Sequence, residues 1–462
     1  MLSARIAIDA APLGCDHFTA VDYGATQVFG LAALPLFGAD GAARPLGAAG
    51  VSCDAERRRY RIAVGDHRFA DGTRVQAHDY RRALGHLVTS ARNPVRAFLR
   101  DIIGFFAARR GDAFAGVTVS GNELSIELER PNALLPLVLS HPAFSPLHPN
   151  APRCAAGSYT LPARPHGALR LARNRHRRPP AGDGAPAGDV EFVLVPDGRE
   201  GIRLYDERRL TASCDTLFPY ELVARYRGRG DFQELPSRIV ALLRVCRAGR
   251  APLRDAAARA SVLGVIDRAA LSATVAGLAT PVSTFAEVLA SDAPAPTRPS
   301  TAMPPRTAAA LTLGYHDFPP NPVLVRAVAA QLTRAGVAVH PVAVAYGAPA
   351  ETDLLLELTY PLFDDPLSFY LHEAFRRPFA AERDAWRAYL SQLDGYQAAP
   401  SLVERRPAGV ALEEALATAA WVAPLLRMPR MRICAPGFDD AGLQPGAFPR
   451  FAAPARVGAA RR

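Results

Sequence analysis

Two His-Asp dipeptides, His78-Asp79 and His316-Asp317, are the residues whose types and spacing come nearest to a catalytic metal site. Metal phosphohydrolases use such pairs, but they need further ligands, and Asp79 already suits the start of a helix. The sequence contains no HExxH, GxSxG or GxGxxG pattern. We therefore predict no catalytic residue and no metal site. A triad whose members meet only in the folded chain stays an open alternative.

The basic and sulfur-containing residues exclude several further kinds of chemistry. All 54 basic side chains are arginine, so a Walker-type phosphate loop and a Schiff-base enzyme both lack the lysine that they need. The six cysteines are widely scattered and form no CxxC pair, which argues against a zinc or redox centre. We predict that the protein uses no cofactor, and one long-range disulfide stays possible if the protein is exported.

Length and composition indicate a globular protein with more than one core. The chain has 462 residues, of which 49% are hydrophobic and 21% charged. The segment from Met1 to Asp9 is too short and too soon charged for a secretory leader. The sequence as written predicts a cytoplasmic location, and a periplasmic or other extracytoplasmic one if a leader is missing from it.

The net charge of +10 raises the question of nucleic acid. The densest basic cluster, from Arg170 to Arg178, is followed at once by Pro179-Pro180 and has no DNA-binding motif beside it. We interpret it as a solvated loop and predict no nucleic-acid partner.

The elements that must position any site alternate between strands and helices. Leu311-Thr312-Leu313 and the segment 337–342 have strand character, and Asn321-Pro322 opens a helix between them that stops at Gly336. This is a βαβ unit, which predicts a parallel sheet covered by helices. Two segments rich in Pro, Ala and Gly, 179–189 and 290–308, are interpreted as surface loops or linkers.

Six segments in order carry a family resemblance. They are Phe69-Ala70-Asp71-Gly72-Thr73 with Ala77-His78-Asp79-Tyr80, Glu127-Leu128-Glu129-Arg130-Pro131, Pro142-Ala143-Phe144-Ser145-Pro146, Gly157-Ser158-Tyr159-Thr160-Leu161, Pro252-Leu253-Arg254-Asp255 with Ile266-Asp267-Arg268, and Phe363-Asp364-Asp365-Pro366-Leu367-Ser368-Phe369. Together they resemble the bacterial extracellular solute-binding proteins that serve oligopeptide, dipeptide and nickel importers (solute-binding protein family 5). The resemblance extends over most of the chain.

The resemblance implies an α/β, two-lobe periplasmic-binding-protein-like fold (type II, cluster C) with an inserted subdomain in the first lobe. We expect residues 1–44, 153–235 and 424–462 to form the first lobe, residues 45–152 the inserted subdomain, and residues 236–423 the second lobe. The ligand would lie in the cleft between the lobes, where closure excludes water.

One departure from the family pattern concerns the ligand. Relatives carry a "W-x-A-D-Y" stretch whose aspartate pairs with a peptide's α-ammonium group, and here Leu362 stands at the aspartate position. An ammonium brought into the cleft without a counter-charge is costly. Either Asp364 or Asp365 takes over, or the ligand presents no free α-amine there. Arginines lining the cleft would favour a carboxylate-bearing ligand.

The candidate ligand-binding residues follow from their positions in the resemblance. They are Tyr23, Phe144, Asp215, Phe218, Tyr360, Leu362, Asp364 and Asp365.

The predicted function is capture of a peptide-like or other small ligand by a monomer for an ABC permease, without chemistry. The missing leader keeps an alternative open, namely a cytosolic carrier or sensor of a metabolite, or an enzyme recruited to a biosynthetic pathway.

Overall fold

The computed structural model describes residues 3–39, 42–90, 93–162, 169–178, 185–247, 253–289, 310–348, 351–372, 383–440, 443–445 and 447–451. The predicted linker 290–308 and half of the predicted loop 179–189 lie outside these ranges. No helix in the described ranges is long and apolar enough to span a membrane.

A six-stranded sheet, here called the large sheet, forms the core of the carboxyl-terminal half. Its strands, in spatial order, are Thr280–Pro281, Val422–Arg427, Val240–Val245, Leu354–Thr359, Leu311–His316 and Val339–Val344. Val240–Val245 is buried along almost its whole length, as its near-continuous apolar sequence requires at the centre of a covered sheet. The predicted βαβ unit is confirmed: Leu311–His316 and Val339–Val344 pair in parallel, and helix Asn321–Arg334 connects them.

The inserted segment has its own antiparallel sheet. Its strands, in spatial order, are Ala48–Cys53, Arg59–Val64, Glu123–Glu127 and Val117–Ser120. Helix Ala77–Thr89 packs against this sheet and begins with a capping box, in which the Asp79 carboxylate accepts the backbone N–H of Gln76. The turn before it closes through the hydrogen bond from Phe69 N to Thr73 O, and Gly72 supplies the positive φ of 92°.

The amino-terminal strand Ala4–Ile8 pairs in parallel with Val190–Leu194, which in turn pairs with Leu169–Leu171. We call these three strands the amino-terminal sheet. The segment that starts at Gly157 packs against the loop after helix Tyr23–Gly30, because Gly157 N donates to Ala32 O at 3.0 Å. A further sheet of very short strands joins Phe438–Asp439 and Arg450–Phe451, near the carboxyl terminus, to Ala185–Pro186.

Two antiparallel segments connect the large sheet to the amino-terminal part. Phe232–Leu235 pairs with Arg430–Ile433, and each continues within a few residues into a central strand of the large sheet. The strand Val422–Arg427 belongs to the large sheet and crosses the position 423/424 where the lobe boundary was expected. The division into lobes stays a prediction.

Helices pack against the large sheet and against the sheet of the inserted segment. Their bounds are Tyr23–Gly30, Ala77–Thr89, Phe105–Ala108, Leu135–Val138, Gly198–Asp206, Val223–Tyr226, Ala256–Gly264, Arg268–Ala273, Phe285–Leu289, Asn321–Arg334, Leu367–Tyr370, Arg383–Ala398 and Leu402–Ala419, with short 3₁₀ turns at Pro94–Leu99, Pro142–Phe144 and Tyr220–Leu222. This mixed α/β architecture agrees with the fold class predicted from the sequence.

Candidate functional site

A cavity of about 480 Å³ lies between the amino-terminal part and the large sheet. The amino-terminal side contributes Asp9, Leu13, Asp22, Tyr23 and Thr216, and the large-sheet side contributes Arg244, His316, Phe318, Tyr346, Glu357, Leu358, Thr359 and Tyr360. We call this space the first cavity. Its volume is in the range of small-molecule sites, and its walls come from distant parts of the chain.

Two carboxylates stand on the amino-terminal side of the first cavity. Asp9 directly follows strand Ala4–Ile8 and accepts a hydrogen bond from Thr216 Oγ1 at 2.8 Å. Asp22 caps helix Tyr23–Gly30, accepting the backbone N–H of Ala25 at 2.9 Å and that of Leu13 at 2.7 Å.

Burial changes the titration of both carboxyl groups. Removal from water raises the pKa of Asp9, against the opposing hydrogen bond from Thr216. Burial likewise raises the pKa of Asp22 to about 6, and the nearby Asp9 charge adds to that rise. Among the described residues, neither carboxylate has an arginine or histidine nitrogen within 4 Å.

The large-sheet side presents one ion pair and a group of rings. Arg244 Nη2 and Glu357 Oε2, on adjacent strands, are 3.1 Å apart. His316 and Phe318 lie parallel with ring centroids 6.1 Å apart, and Tyr346 meets both rings edge-on. These rings lie at or just after the ends of strands Leu311–His316 and Val339–Val344, so the parallel pairing brings them to the same edge of the large sheet.

Tyr23 and Asp215, both predicted ligand-binding residues, meet in one buried network. Tyr23 Oη donates to Asp215 Oδ2 at 2.7 Å, and Arg430 Nε donates to the same oxygen at 3.0 Å. Burial would raise the pKa of Asp215, but Arg430 and the Tyr23 hydroxyl together lower it below its ordinary value. The negative charge of the Asp215 carboxylate is therefore balanced by Arg430 within the protein.

Tyr360, another predicted residue, joins the two sides of the cleft. Its hydroxyl lies 2.5 Å from Thr26 Oγ1, and its ring packs edge-on against Tyr23 with centroids 5.5 Å apart. Tyr23, Ile239 and Tyr360 line the first cavity and also a second one of about 870 Å³. These side chains therefore form a partition inside the cleft.

The three predicted residues after Tyr360 have different environments. Leu362 and Asp364 line the second cavity, and Asp364 pairs with Arg238 at 2.7 Å. Asp365 is buried away from both cavities, where it accepts the Tyr396 hydroxyl at 2.9 Å and caps the turn at Leu367. Neither aspartate thus offers an unpaired charge in place of the acid missing at Leu362.

Phe144 and Phe218, predicted from their positions, lie in apolar cores. Phe144 is 2% exposed within the turn Pro142–Phe144, and Phe218 packs its ring against Tyr226 and Phe232. Neither is among the described residues that line the two cavities.

Sequence reasoning did not identify Asp9, Asp22 or the rings of Phe318 and Tyr346 as cavity residues. Asp9 carried a usable signal, because an acidic residue directly after an apolar strand lies at the sheet edge where ligands bind. Asp22 reads as an ordinary helix cap in the sequence, and only the packed structure shows that it also faces the cavity.

The His-Asp dipeptides do not build a metal site in the described ranges. His78 is exposed while Asp79 is buried in its capping box, and Asp317 is exposed away from the ring of His316. The one described group of three possible ligands is Asp71, His148 and Cys154.

The hydrogen bonds of His148 fix the orientation of its ring. Its Nδ1 accepts the backbone N–H groups of Asn150 at 3.2 Å and Ala151 at 2.9 Å. A ring that accepts through Nδ1 carries its proton on Nε2, which lies 3.1 Å from Asp71 Oδ2 without forming a well-directed hydrogen bond to it. The three side chains are therefore close together at the turn that contains Asp71.

Comparison with solved structures identifies the fold. The chain matches the murein tripeptide binding protein MppA of Escherichia coli with a TM-score of 0.82 at 18% identity, covering 98% of this chain and 99% of that one. It matches a substrate binding protein from Microbacterium hydrocarbonoxydans, complexed with 4-hydroxybenzoate hydrazide, with a TM-score of 0.79 at 17% identity, covering 98% and 100%. OppA of Haemophilus influenzae, complexed with the peptide RPPGFSPFR, matches at 0.77 and 15% identity over 96% of both chains.

No family model matches the sequence, and no curated protein matches it significantly. The similarity to the solved structures extends over nearly the whole chain at 15–18% identity. The chain therefore has the type II periplasmic-binding-protein fold of the oligopeptide-binding proteins, as the sequence resemblance implied.

Proposed function

We propose that this protein is a solute-binding protein that captures a small, peptide-like ligand between two lobes and delivers it to an ABC importer. The observation that carries the proposal is the first cavity, whose walls come from both sides of the cleft. A ligand there would be enclosed by residues of two separate bodies, which is the arrangement that capture by closure requires.

The contacts across the cleft support the same proposal. The Thr26–Tyr360 hydrogen bond and the packing of Leu13 against Gly347 both join the amino-terminal part to the large sheet. The unliganded open form of MppA matches with a TM-score of only 0.66, against 0.82 for the other MppA structure. The arrangement of the two sides here thus differs from that open form.

In this proposal, residues 1–44, 153–235 and 424–462 form the first lobe, 45–152 the inserted subdomain and 236–423 the second lobe. The segments Phe232–Leu235 and Arg430–Ile433 form the hinge, because both pass between the large sheet and the amino-terminal part. Hinges of this kind are short segments at the ends of elements.

Fewer residues are proposed to contact the ligand than the sequence suggested. Tyr23 and Tyr360 would contact the ligand, whereas Asp215 would position Tyr23. Leu362 and Asp364 would contact only a ligand that extends into the second cavity. Phe144, Phe218 and Asp365 would support the fold.

The proposed partner and location rest on similarity to solved structures. An oligopeptide ABC transporter of Bacillus anthracis, represented by its substrate-binding domain, has this fold with a TM-score of 0.76. We accordingly propose an ABC permease as the partner, an extracytoplasmic place of action, and a monomer as the working unit.

The test is native mass spectrometry on protein purified from its own host, followed by identification of the released ligand. We expect one tightly held small molecule or short peptide, released unchanged. The variant Thr359→Trp places a bulky ring in the first cavity and should abolish capture, because Thr359 lines that cavity.

Thr118→Trp is the matched control, since Thr118 is exposed on the sheet of the inserted segment and should not affect capture. Conversion of the released molecule on incubation with fresh protein would contradict the proposal and indicate an enzyme. Equal capture by the Thr359→Trp variant would show that the ligand lies elsewhere.

A further inference from the structure

The first cavity contains more negative than positive charge in a chain that is strongly basic overall. Among the described residues that line it are the three carboxylates of Asp9, Asp22 and Glu357 and one guanidinium, that of Arg244. Arg244 is already paired with Glu357 at 3.1 Å. This leaves the Asp9 and Asp22 carboxylates as the uncompensated charges of the cavity.

Other carboxylates near the cleft have an arginine partner. Asp215 pairs with Arg430, Asp440 with Arg432, and Asp364 with Arg238. These arginines line the second cavity, whereas no arginine among the described residues pairs with Asp9 or Asp22 in the first. A buried carboxylate without a cation is costly, so a cation supplied by the ligand would be bound favourably there.

The rings around the first cavity suit the same kind of ligand. Tyr346 lies close enough to Asp22 and Asp9 that their charges, after burial, help to raise the pKa of its phenol. His316, Phe318 and Tyr346 form one contiguous group of rings, and Tyr23 with Tyr360 closes the opposite end. Aromatic rings attract organic cations, and their apolar surface accommodates the carbon skeleton attached to the charge.

We propose that the first cavity recognises a protonated amine, with Asp9 and Asp22 binding the ammonium group and the rings of His316, Phe318 and Tyr346 enclosing its apolar body. This inference rests on the proposed function and names its ligand class. It places the counter-charge on the amino-terminal side of the cleft, opposite the side that carries Leu362. The cavity suits a cationic ligand and not the anionic ligand expected if arginines lined the cleft.

The ammonium could belong to the amino terminus of a short peptide or to a free amine, so the test uses both. One set is a pool of di- and tripeptides without Lys, Arg or His, and its match is the same pool N-acetylated. The second set is tyramine and phenethylamine with their N-acetyl derivatives. Binding is measured by thermal shift and by isothermal titration calorimetry at pH 8.

We expect free amines of at least one set to bind, and N-acetylation to weaken binding by about tenfold or more, because it removes the charge-assisted hydrogen bonds. The responding set identifies the source of the ammonium. The variant Asp9→Asn should reproduce that loss, since the amide keeps the size of the side chain and an oxygen for Thr216. Asp189→Asn, a surface aspartate paired with Arg170, is the control and should bind as the unmodified chain does.

Two results would overturn the inference in distinguishable ways. Equal binding of the free and acetylated compounds would remove cation recognition and leave the solute-binding function standing. Failure of every compound to bind at millimolar concentration would count against both. An Asp9→Asn variant that binds amines unchanged while remaining folded by circular dichroism would also exclude the proposed role of Asp9.

Discussion

Tyr360 shows what one side chain contributes to closing the cleft. Its hydroxyl is 2.5 Å from Thr26 Oγ1, and this bond joins helix Tyr23–Gly30 to the end of strand Leu354–Thr359. Replacing Tyr360 with Phe keeps the ring and removes the bond. Because a hydrogen bond of this kind contributes about 1 kcal/mol, we expect ligand affinity to fall by about fivefold. Calorimetry with the captured ligand provides the measurement.

The matched partner variant is Thr26→Val, which removes the other hydroxyl at nearly constant volume. The double variant should then bind like either single variant, which gives a coupling of about 1 kcal/mol between the two positions. Additive losses in the double variant would show that the two hydroxyls act separately and that this bond does not hold the cleft closed.

Position in the family pattern was the only signal for individual site residues, and it did not distinguish cavity residues from core residues such as Phe144. Tyr23 and Tyr360 were predicted from position in the family pattern, and both line the first cavity. Asp9 was missed although it directly follows an apolar strand, because that signal alone does not distinguish a cavity aspartate from one at the surface. The difference depends on what lies opposite, and for Asp9 that is the wall of the first cavity contributed by the large-sheet side.

At the scale of elements, the close approach of the Ala32 backbone explains why position 157 is a glycine. A Cβ at this position would lie 2.3 Å from the carbonyl carbon of Ala32, and backbone cannot move aside as a flexible side chain can. We expect Gly157→Ala to lower the free energy of unfolding by at least about 2 kcal/mol. Gly50→Ala, where a Cβ meets nothing within 4 Å, should change it by less than about 0.5 kcal/mol.

Urea unfolding of both variants tests this pair. Equal stability of the two would mean that the loop at Ala32 can move away from residue 157 without cost.

Glu413 makes the packing of helix Leu402–Ala419 depend on pH. Burial raises the pKa of its carboxyl to about 7, although Tyr370 Oη donates to it at 2.8 Å and Ala286 N at 2.9 Å. The folded chain therefore holds this proton more tightly than the unfolded chain. The contribution of Glu413 to stability is complete below about pH 4.5 and is lost as the pH rises to about 7, by at most about 1.4 kcal/mol per pH unit.

The variant Glu413→Gln keeps the acceptor oxygen and cannot ionise, so its stability relative to the unmodified chain should increase between pH 5 and pH 8. Glu414→Gln, exposed on the same helix, should show no such trend. Urea unfolding at several pH values measures both differences. A pH-independent difference for Glu413→Gln would mean that the carboxyl titrates normally.

Elements with strong local signals were predictable from the sequence. The βαβ unit was read from apolar spacing and the Asn321-Pro322 helix start, and the structure contains it. The pairing of Phe232–Leu235 with Arg430–Ile433 was not predicted, because the two segments are nearly two hundred residues apart and neither has a strong strand pattern. Pairing over such separations depends on the rest of the fold.

At the scale of the molecule, the two-lobe architecture was predictable through the resemblance, while the content of the cleft was not. The chain is basic overall, with a net charge of +10, yet its first cavity is acidic. Composition averages over the surface, where arginines form exposed ion pairs such as Arg199–Glu221 and Arg203–Glu200. A cavity takes its charge from a few residues that the fold brings together, and average composition says nothing about them.

The acidic cavity also predicts how closure depends on pH. Closing the empty cleft buries the Asp9 and Asp22 carboxylates without a cation, which raises the pKa of both. By linkage, protonation then favours the closed arrangement, so the free protein should be more open at pH 8 than at pH 5. Small-angle scattering should show a smaller radius of gyration at pH 5, and a bound amine should produce the same contraction at pH 8.

The variant Asp9→Asn tests the cause of this contraction. It removes one of the two charges, so its free form should be more closed at pH 8 and less sensitive to acid than the unmodified chain. His316→Gln, which changes another polar side chain of the same cavity, is the control. A radius of gyration that is independent of both pH and ligand would mean that closure does not respond to the charge of the cavity, and the pair Asp9 and Asp22 would then have no part in it.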